Sequence, residues 1–391
     1  MNKKNFYICS IRKMQDFNFY KKIVILRADL NVPVVNGLIQ DSTRIVRLIP
    51  TINYLLQHNA KIIIASHFGR PKTYDKKFSL GFLTDVISNM CQQEVLFISE
   101  NIGMQVRNIV CSSEKSIFLL ENLRFNKGEE ENDDDFARQL SLIADVYVND
   151  AFSCFHRQHA SINAITKFLP SFIGLNFQQE IQYLSKVVSD SSRPIAAIVG
   201  GAKISTKVSM LKNIASKIDF LILGGAIANN FLLIKEINIG KSLCETISYE
   251  ISEEVINIAQ QNNCKIILPI DCITAKSINS DVCFLKDIDK IEHDDMILDI
   301  GGNTLLKIKA ILEKCNVILW NGPVGAFEYE KFSRGTFDLT RTLVDLKKKK
   351  VNVIVGGGDS ISAIKAAGFL ERDFTYISTG GGALLHFLSI T

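Results

Sequence analysis

The feature that most constrains this chain is an alternation. Short apolar, β-branched runs recur along all 391 residues, and most are separated by stretches long enough for a helix. The first half carries "KIVILRADL", "AKIIIASHF", "EVLFISE", "SIFLLENLRF" and "ADVYVNDAF". The second carries "IAAIVGG", "FLILGG", "KIILPID", "MILDIGG", "NVILWNG" and "VNVIVGGG". Continuously apolar strands belong in sheets covered on both faces, and strands joined through helices run parallel. One helix is legible in "TRIVRLIPTINYLLQ": Ile45, Leu48, Ile49, Ile52 and Leu56 share a face, Asp41 and Ser42 stand where a cap belongs, and Pro50 sits inside. The pattern predicts an α/β protein of two doubly wound, parallel-sheet (Rossmann-like) domains joined by a hinge helix.

The join lies near the middle. "FLPSF" closes the first block at 168–172, and "SDSSRP" opens the second at 189–194. Between them "IGLNFQQEIQYLSKVV" places Phe177, Ile181, Leu184 and Val188 on an apolar stripe. The expected division is a domain over 1–172, an interdomain helix over 173–190 and a second domain over 191–378.

Composition removes several classes of function. Hydrophobic residues make up 47% and charged residues 22%, enough for large cores. A net charge of +4 is too small to argue for nucleic acid, so an anion site must come from local clustering. No run of 18 apolar residues exists to span a membrane. The nine cysteines include no C-x-x-C pair, which counts against structural zinc and redox motifs and suits a reducing, cytoplasmic setting. "MNKKNFYICSIRKM" is basic but lacks an apolar h-region, so no secretory signal is expected. Without a heptad or an apolar seam, a monomer is the expectation.

In open α/β sheets, ligands sit beyond the carboxyl ends of the strands. The two halves end their strands differently. First-half strands lead into Asp29 and Asn31, His67 and Arg70, Arg124, and Asn149 and Asp150 followed by His156, Arg157 and His159. Second-half strands lead into Gly200-Gly201, Gly224-Gly225, Gly301-Gly302, Gly322 and Gly356-Gly357-Gly358. The first set suits a small anion held by side chains. The second lets phosphates or a nucleotide approach the backbone.

Each motif also has a plainer reading. "IVGGAKISTK" is not the G-x-x-x-x-G-K-[ST] phosphate loop. If a helix starts after Ala202, Lys203 and Lys207 share a face of its first turns. A cation there opposes the helix dipole by about 0.3–1 kcal/mol, and a bound phosphate reverses the sign. A phosphate site, a pair of solvated lysines and a Schiff-base lysine all fit. Arg44, just inside a helix, fits an anion site or an ion pair with Asp41. "SHFGRPK" is a tight turn whose charges are functional or incidental. His156 and His159 have metal-like spacing but no third ligand to help. Asp359 and Ser360 either cap a helix or stand beside phosphates, with Asp359 toward a magnesium ion. The turn after Trp320, with Asn321 and Glu328, suits a nucleotide-side loop. No strand leads into G-x-G-x-x-G with an acid about 20 residues on, which weighs against a dinucleotide-dependent dehydrogenase.

Taken in order, "RADLNVPV", "DSTRI", "SHFGRPK", "LLENLRFNKGEEEND", "YVNDAFSCFHRQHAS", "GGAKISTKV", "WNGPVGAFE", "GGGDS" and "STGGGA" make nearly the whole chain resemble the phosphoglycerate kinase family. The resemblance implies an enzyme that moves a phosphoryl group between 1,3-bisphosphoglycerate and ADP, giving 3-phosphoglycerate and ATP, with Mg2+ on the nucleotide. It implies that Asp29 and Asn31 hold the glycerate, and that Arg44, His67, Arg70, Arg124 and Arg157 form a basic wall for its 3-phosphate and carboxylate. Lys203 and Arg44 act on the phosphoryl in flight. Lys207, Asn321, Glu328, Gly357, Gly358, Asp359 and Ser360 hold the nucleotide, Glu328 at the ribose and Asp359 toward the metal. Three departures stand out. "DIGGN" replaces the usual "DIGP", "AFSCFHR" is bulkier than its usual counterpart, and "STGGGALLHFLSIT" is shorter than a tail that in the family returns to the first domain. Residues 379–391 are the candidates for that return. The short tail keeps open a second reading, a non-enzymatic binder of phosphometabolite and nucleotide in which closure is impaired.

Overall fold

The computed structural model describes residues 12–187, 192–205, 207–245, 248–378 and 380–390. The basic start of the chain, Val188 of the helix stripe, part of the expected opening at 189–194, Thr206 between the two lysines and Thr379 of "STGGGA" lie outside these residues. The chain divides into two compact units, Met1–Gln182 and Tyr183–Thr391.

The first unit contains strands β1 (Ile23–Arg27), β4 (Lys61–Ala65), β5 (Val95–Ile98), β6 (Ile117–Leu120), β7 (Val146–Asn149) and β8 (Ser171–Ile173) in one sheet of order β5-β6-β4-β1-β7-β8. Every pairing in it is parallel. A short hairpin, β2 (Val34–Val35) and β3 (Leu38–Ile39), turns at Asn36-Gly37. The helices are α1 (Thr43–Gln57), α2 (Thr84–Cys91), α3 (Met104–Ser112), α4 (Asp134–Ser141) and α5 (Leu175–Val187), with one further helical turn at Lys127–Glu130. Strand alternation explains why the runs are apolar throughout. Val24, Leu26, Ile62 and Ile64 face one core, while Ile23, Ile25, Ile63 and Ala65 face the other. Helix α1 matches its expected extent, Pro50 included. Its fully buried positions are Ile45, Leu48, Thr51, Ile52 and Leu55, so the stripe lies slightly round from the one the sequence suggested.

The second unit repeats the plan. Strands β9 (Ile195–Val199), β10 (Phe220–Leu223), β11 (Lys265–Ile267), β15 (Val317–Asn321), β16 (Asn352–Gly356) and β17 (Tyr376–Ser378) form a sheet of order β11-β10-β9-β15-β16-β17, all parallel. Its helices are α6 (Val208–Ala215), α7 (Gly225–Ile234), α8 (Ser248–Gln261), α9 (Gly302–Leu312), α10 (Arg334–Lys348), α11 (Gly358–Ala366) and α12 (Gly381–Ile390). One run departs from the expected pattern. "MILDI", β14 (Met296–Ile300), pairs antiparallel with β12 (Asp271–Ala275), which also pairs antiparallel with β13 (Phe284–Asp287). The stretch between β12 and β14 holds β13 and a single 3-10 turn, Ile288–Lys290, but no crossover helix, and antiparallel pairing needs none.

The boundary between the units falls inside α5, whose buried residues include Phe177, Glu180 and Leu184. Helix α12 packs against α6 and β16 of the second unit. In both sheets the chain fills one side of a central strand and then the other. The switch lies between β1 and β7 in the first and between β9 and β15 in the second.

Candidate active site

In the first unit the loops after β1 and β7 meet at the switch point. Asp29, two residues past β1, takes Arg44 Nη1 on Oδ1 at 2.9 Å and the Ser153 hydroxyl on Oδ2. Arg44 Nη1 also donates to Asn31 O at 2.8 Å, and Asn31 Oδ1 accepts from Gly69 N at 2.8 Å. Arg44 therefore faces back across the loop at Asp29. Arg124 is almost fully buried, donates to Gly69 O at 2.6 Å and pairs with Glu130 at 3.0 Å. Arg157 is half-buried and Arg70 is exposed.

The histidines behave differently from the arginines. His67 is buried with its Nδ1 at 3.1 Å from Arg27 Nη2. Burial first, then Arg27, Arg124, Arg157 and His159, push its pKa well below the usual value. Burial and Arg124, Arg157 and Arg27 push His159 down to about 4. Both rings are neutral at pH 7, so the positive charge of this wall comes from arginine and His67 contributes a neutral ring. The mutual influence of Arg27, His67, Arg124, Arg157 and His159 also shows that separate strand-end loops bring them together.

Arg27 was not among the sequence candidates. It sits inside an apolar strand, donates to Ser161 Oγ at 2.8 Å and lies 3.9 Å from buried Glu129. Glu129 in turn accepts from Ser161 N and Oγ at 2.9 and 2.6 Å. A lone arginine at the end of "KIVILR" was the available signal, since a cation in a two-faced core needs a partner.

In the second unit the turns after β9 and β15 touch at the switch point. A Cβ on Gly200 would lie 1.9 Å from Pro323 O, so only glycine allows this approach. The lysines are not arranged as a shared helix face. Helix α6 begins at Val208, leaving Lys207 as the residue ahead of it and exposed Lys203 in the preceding loop. That loop is held open by the burial of Ile204 and by Ser205, whose N and Oγ donate to Glu245 at 2.7 and 2.8 Å. Lys207 Nζ reaches under the glycine turn and donates to Gly200 O at 2.6 Å and Asn321 O at 3.2 Å. Burial lowers its pKa to about 8, against the opposing pull of Asp359.

Asn321 is buried and donates from Nδ2 to Gly356 O at 2.9 Å. Ser360 is also buried; its Oγ accepts from Gly322 N at 2.7 Å and donates to Gly356 O at 3.0 Å. These two residues tie the turn after β15 to the turn after β16. Gly357 and Gly358 open α11, and Asp359 is exposed in its first turn. Beside these turns lies a cavity of about 380 Å3. Glu328 and Asp359 line it with Leu243, Met296, Leu298 and Val324. The apolar walls went unseen in the sequence because they come from separate segments.

Among the described residues, the acids at metal-ligand spacing are Glu292, Asp294 and Asp295. Lys276 Nζ lies 2.6–3.0 Å from all three, so a lysine already supplies the cation. No helix among the described residues is long and apolar enough to cross a membrane.

Arginines gathered at one sheet's switch point, and a glycine-turned apolar cavity at the other's, define a class: a phosphotransferase acting between a small anion and a nucleotide. The phosphoglycerate kinase family model matches residues 14–390. The phosphoglycerate kinase of Wolbachia sp. subsp. Brugia malayi (strain TRS) is 48% identical over 382 residues, 97% of this chain and 96% of that protein. Among solved structures, that of phosphoglycerate kinase from Coxiella burnetii is 35% identical with a TM-score of 0.82, covering 97% of this chain and 96% of that one. The enzyme from Pyrococcus horikoshii OT3 is 30% identical with a TM-score of 0.81, at the same coverage. The chain belongs to the phosphoglycerate kinase family. Its reaction is the reversible transfer of a phosphoryl group between 1,3-bisphosphoglycerate and ADP, giving 3-phosphoglycerate and ATP. Nothing in the fold or the relatives favours a non-enzymatic binder.

Proposed function

We propose that the first unit binds 3-phosphoglycerate and the second binds the nucleotide. Asp29 and Asn31 hold the glycerate, and Arg44, Arg70, Arg124 and Arg157 neutralise its phosphate and carboxylate, with His67 as a neutral partner. Lys207 and the turns around Asn321, Gly357 and Gly358 receive the nucleotide phosphates, and Glu328 meets the ribose. Ser360 acts by holding Gly322 and Gly356 in place, because its hydroxyl is already engaged on both. Asp359 suits a magnesium ion carried by the phosphates: it is an exposed carboxylate on the cavity and is coupled to Lys207. Mg2+ bound there would offset charge on the nucleotide.

The chemistry asks little of acid–base groups. From 3-phosphoglycerate the nucleophile is a carboxylate, ionised at pH 7, so no general base is required. Catalysis rests on alignment and on charge stabilisation of the phosphoryl in flight by Arg44, Lys203 and backbone N–H groups. The two ligands are held by different units, so transfer requires the units to approach, which also shields a reactive acyl phosphate from water. The protein works as a cytoplasmic monomer.

The observation that carries the ligand assignment is the gathering of arginines around neutral His67 and His159. Calorimetric titration of Arg157→Met tests it. The variant is expected to lose at least tenfold in 3-phosphoglycerate affinity while binding MgADP as the parent does. Equal loss of both ligands, or of neither, would overturn the assignment.

A further inference from the structure

Helix α7 reads "GAIANNFLLI", with two asparagines inside an otherwise apolar helix. Both are buried, and both reach the same neighbouring segment. Asn229 Nδ2 donates to Leu243 O at 3.0 Å. Asn230 Oδ1 accepts from Glu245 N and Cys244 Sγ at 3.2 and 3.1 Å, while its Nδ2 donates to Ala226 O at 2.9 Å. Residues 243–245 lie in no helix or strand, so these amides fix a backbone that no ladder holds.

That fastening sets the reach of Glu245. Its Oε2 accepts from Ser205 N at 2.7 Å and its Oε1 from Ser205 Oγ at 2.8 Å. Both oxygens of one carboxylate therefore land on one residue of the loop that carries Lys203. These bonds, with a smaller pull from Lys203, hold the Glu245 carboxyl below its usual range, so it is ionised at pH 7. The other side of the loop is also tied to α7, whose Ile227 N donates to Gly201 O at 3.2 Å. Ile204 is fully buried. Lys203 is thus bracketed by anchored neighbours, Gly201 before it and Ile204 and Ser205 after it, while it is itself exposed. A lysine stem has many rotamers, and a fixed backbone beneath it narrows where the ammonium can go.

We propose that Glu245 is a positioning residue for phosphoryl transfer: through Ser205 it holds the loop from which Lys203 reaches the phosphoryl in flight. The proposal rests on the reading of Lys203 as the residue that acts there. Glu245 acts through the loop and touches neither substrate. Its loss should therefore appear in kcat and leave KM alone, because the contact it prepares is made in the transition state.

The test is kcat and KM with MgATP and 3-phosphoglycerate for the parent, Glu245→Ala, Glu245→Gln, Lys203→Ala and the double variant Lys203→Ala with Glu245→Ala. Glu245→Ala should lower kcat by about tenfold and keep both KM values within about twofold. Glu245→Gln offers Ser205 N an acceptor and Ser205 Oγ a donor without the charge, and should restore kcat to within about twofold of the parent. In the Lys203→Ala background, Glu245→Ala should cost less than about twofold more, since residues that act through one another are not additive. An unchanged kcat in Glu245→Ala would overturn the proposal, as would the same loss in both backgrounds. A Glu245→Gln as slow as Glu245→Ala would also overturn it, by making charge and not placement the cause. Calorimetric titration with MgADP separates placement from a general weakening of the second unit: Glu245→Ala should bind as the parent does, and a loss of affinity as large as the loss in kcat refutes the positioning role. An undiminished kcat in Lys203→Ala would instead refute the underlying reading of Lys203, whatever the Glu245 variants do.

Discussion

Lys207 shows how much a single side chain depends on what surrounds it. Its ammonium lies beneath the turn after β9 on two backbone carbonyls, and burial brings its pKa down to about 8. It is charged below that pH and loses its proton above it. A phosphate prefers the charged form, so MgADP affinity should fall as pH rises through about 8, by up to about tenfold per unit. Lys207→Met should bind weakly at every pH and lose that slope, and titrations between pH 6.5 and 9 would reveal it. Lys203 is the contrast: it is exposed on a loop. If it serves the phosphoryl in flight, Lys203→Ala should lower kcat by about 100-fold or more and change KM little. An unaltered kcat would remove Lys203 from the chemistry. Both lysines stand out in "GGAKISTK". Their separate settings do not, because these depend on Ile204 entering the core and Ser205 reaching Glu245.

Elements are positioned by buried polar contacts as much as by apolar faces. Helix α5 starts where Asp150 Oδ1 accepts from Phe177 N at 2.9 Å, with Gly174 packed so closely that any Cβ would meet that carboxylate. Burial raises the Asp150 pKa from 3.8 to about 6. The fold thus holds a proton that the unfolded chain releases, and stability should decline as pH rises from about 4 to about 6, then level off. The change is on the order of 3 kcal/mol, and Asp150→Asn should flatten it in urea unfolding followed across that range. The expected strands are present, but "MILDI" pairs antiparallel outside the main sheet, since apolar periodicity does not encode strand direction. The expected start of α6 was early by several residues because helix propensity in "AKIST" yields to the loop's own contacts.

For the molecule as a whole, the ligands assigned to the two units must meet for transfer to occur. Small-angle scattering should show a smaller radius of gyration with 3-phosphoglycerate and a non-hydrolysable ATP analogue together than with either alone. An identical radius in all states would argue against closure as part of the cycle. The sequence by itself determined the two-unit α/β plan, the helix between the blocks and the ordered motifs that identify the family. It could do so because two-faced apolar strands, strand-end glycines and clustered cations are local in the chain. Only the tertiary structure decided which charges are real and which are buried. It made His67 and His159 neutral, tied Arg27 to Glu129 and buried Lys207. Desolvation and partnering depend on residues distant in the chain, and no spacing rule carries them.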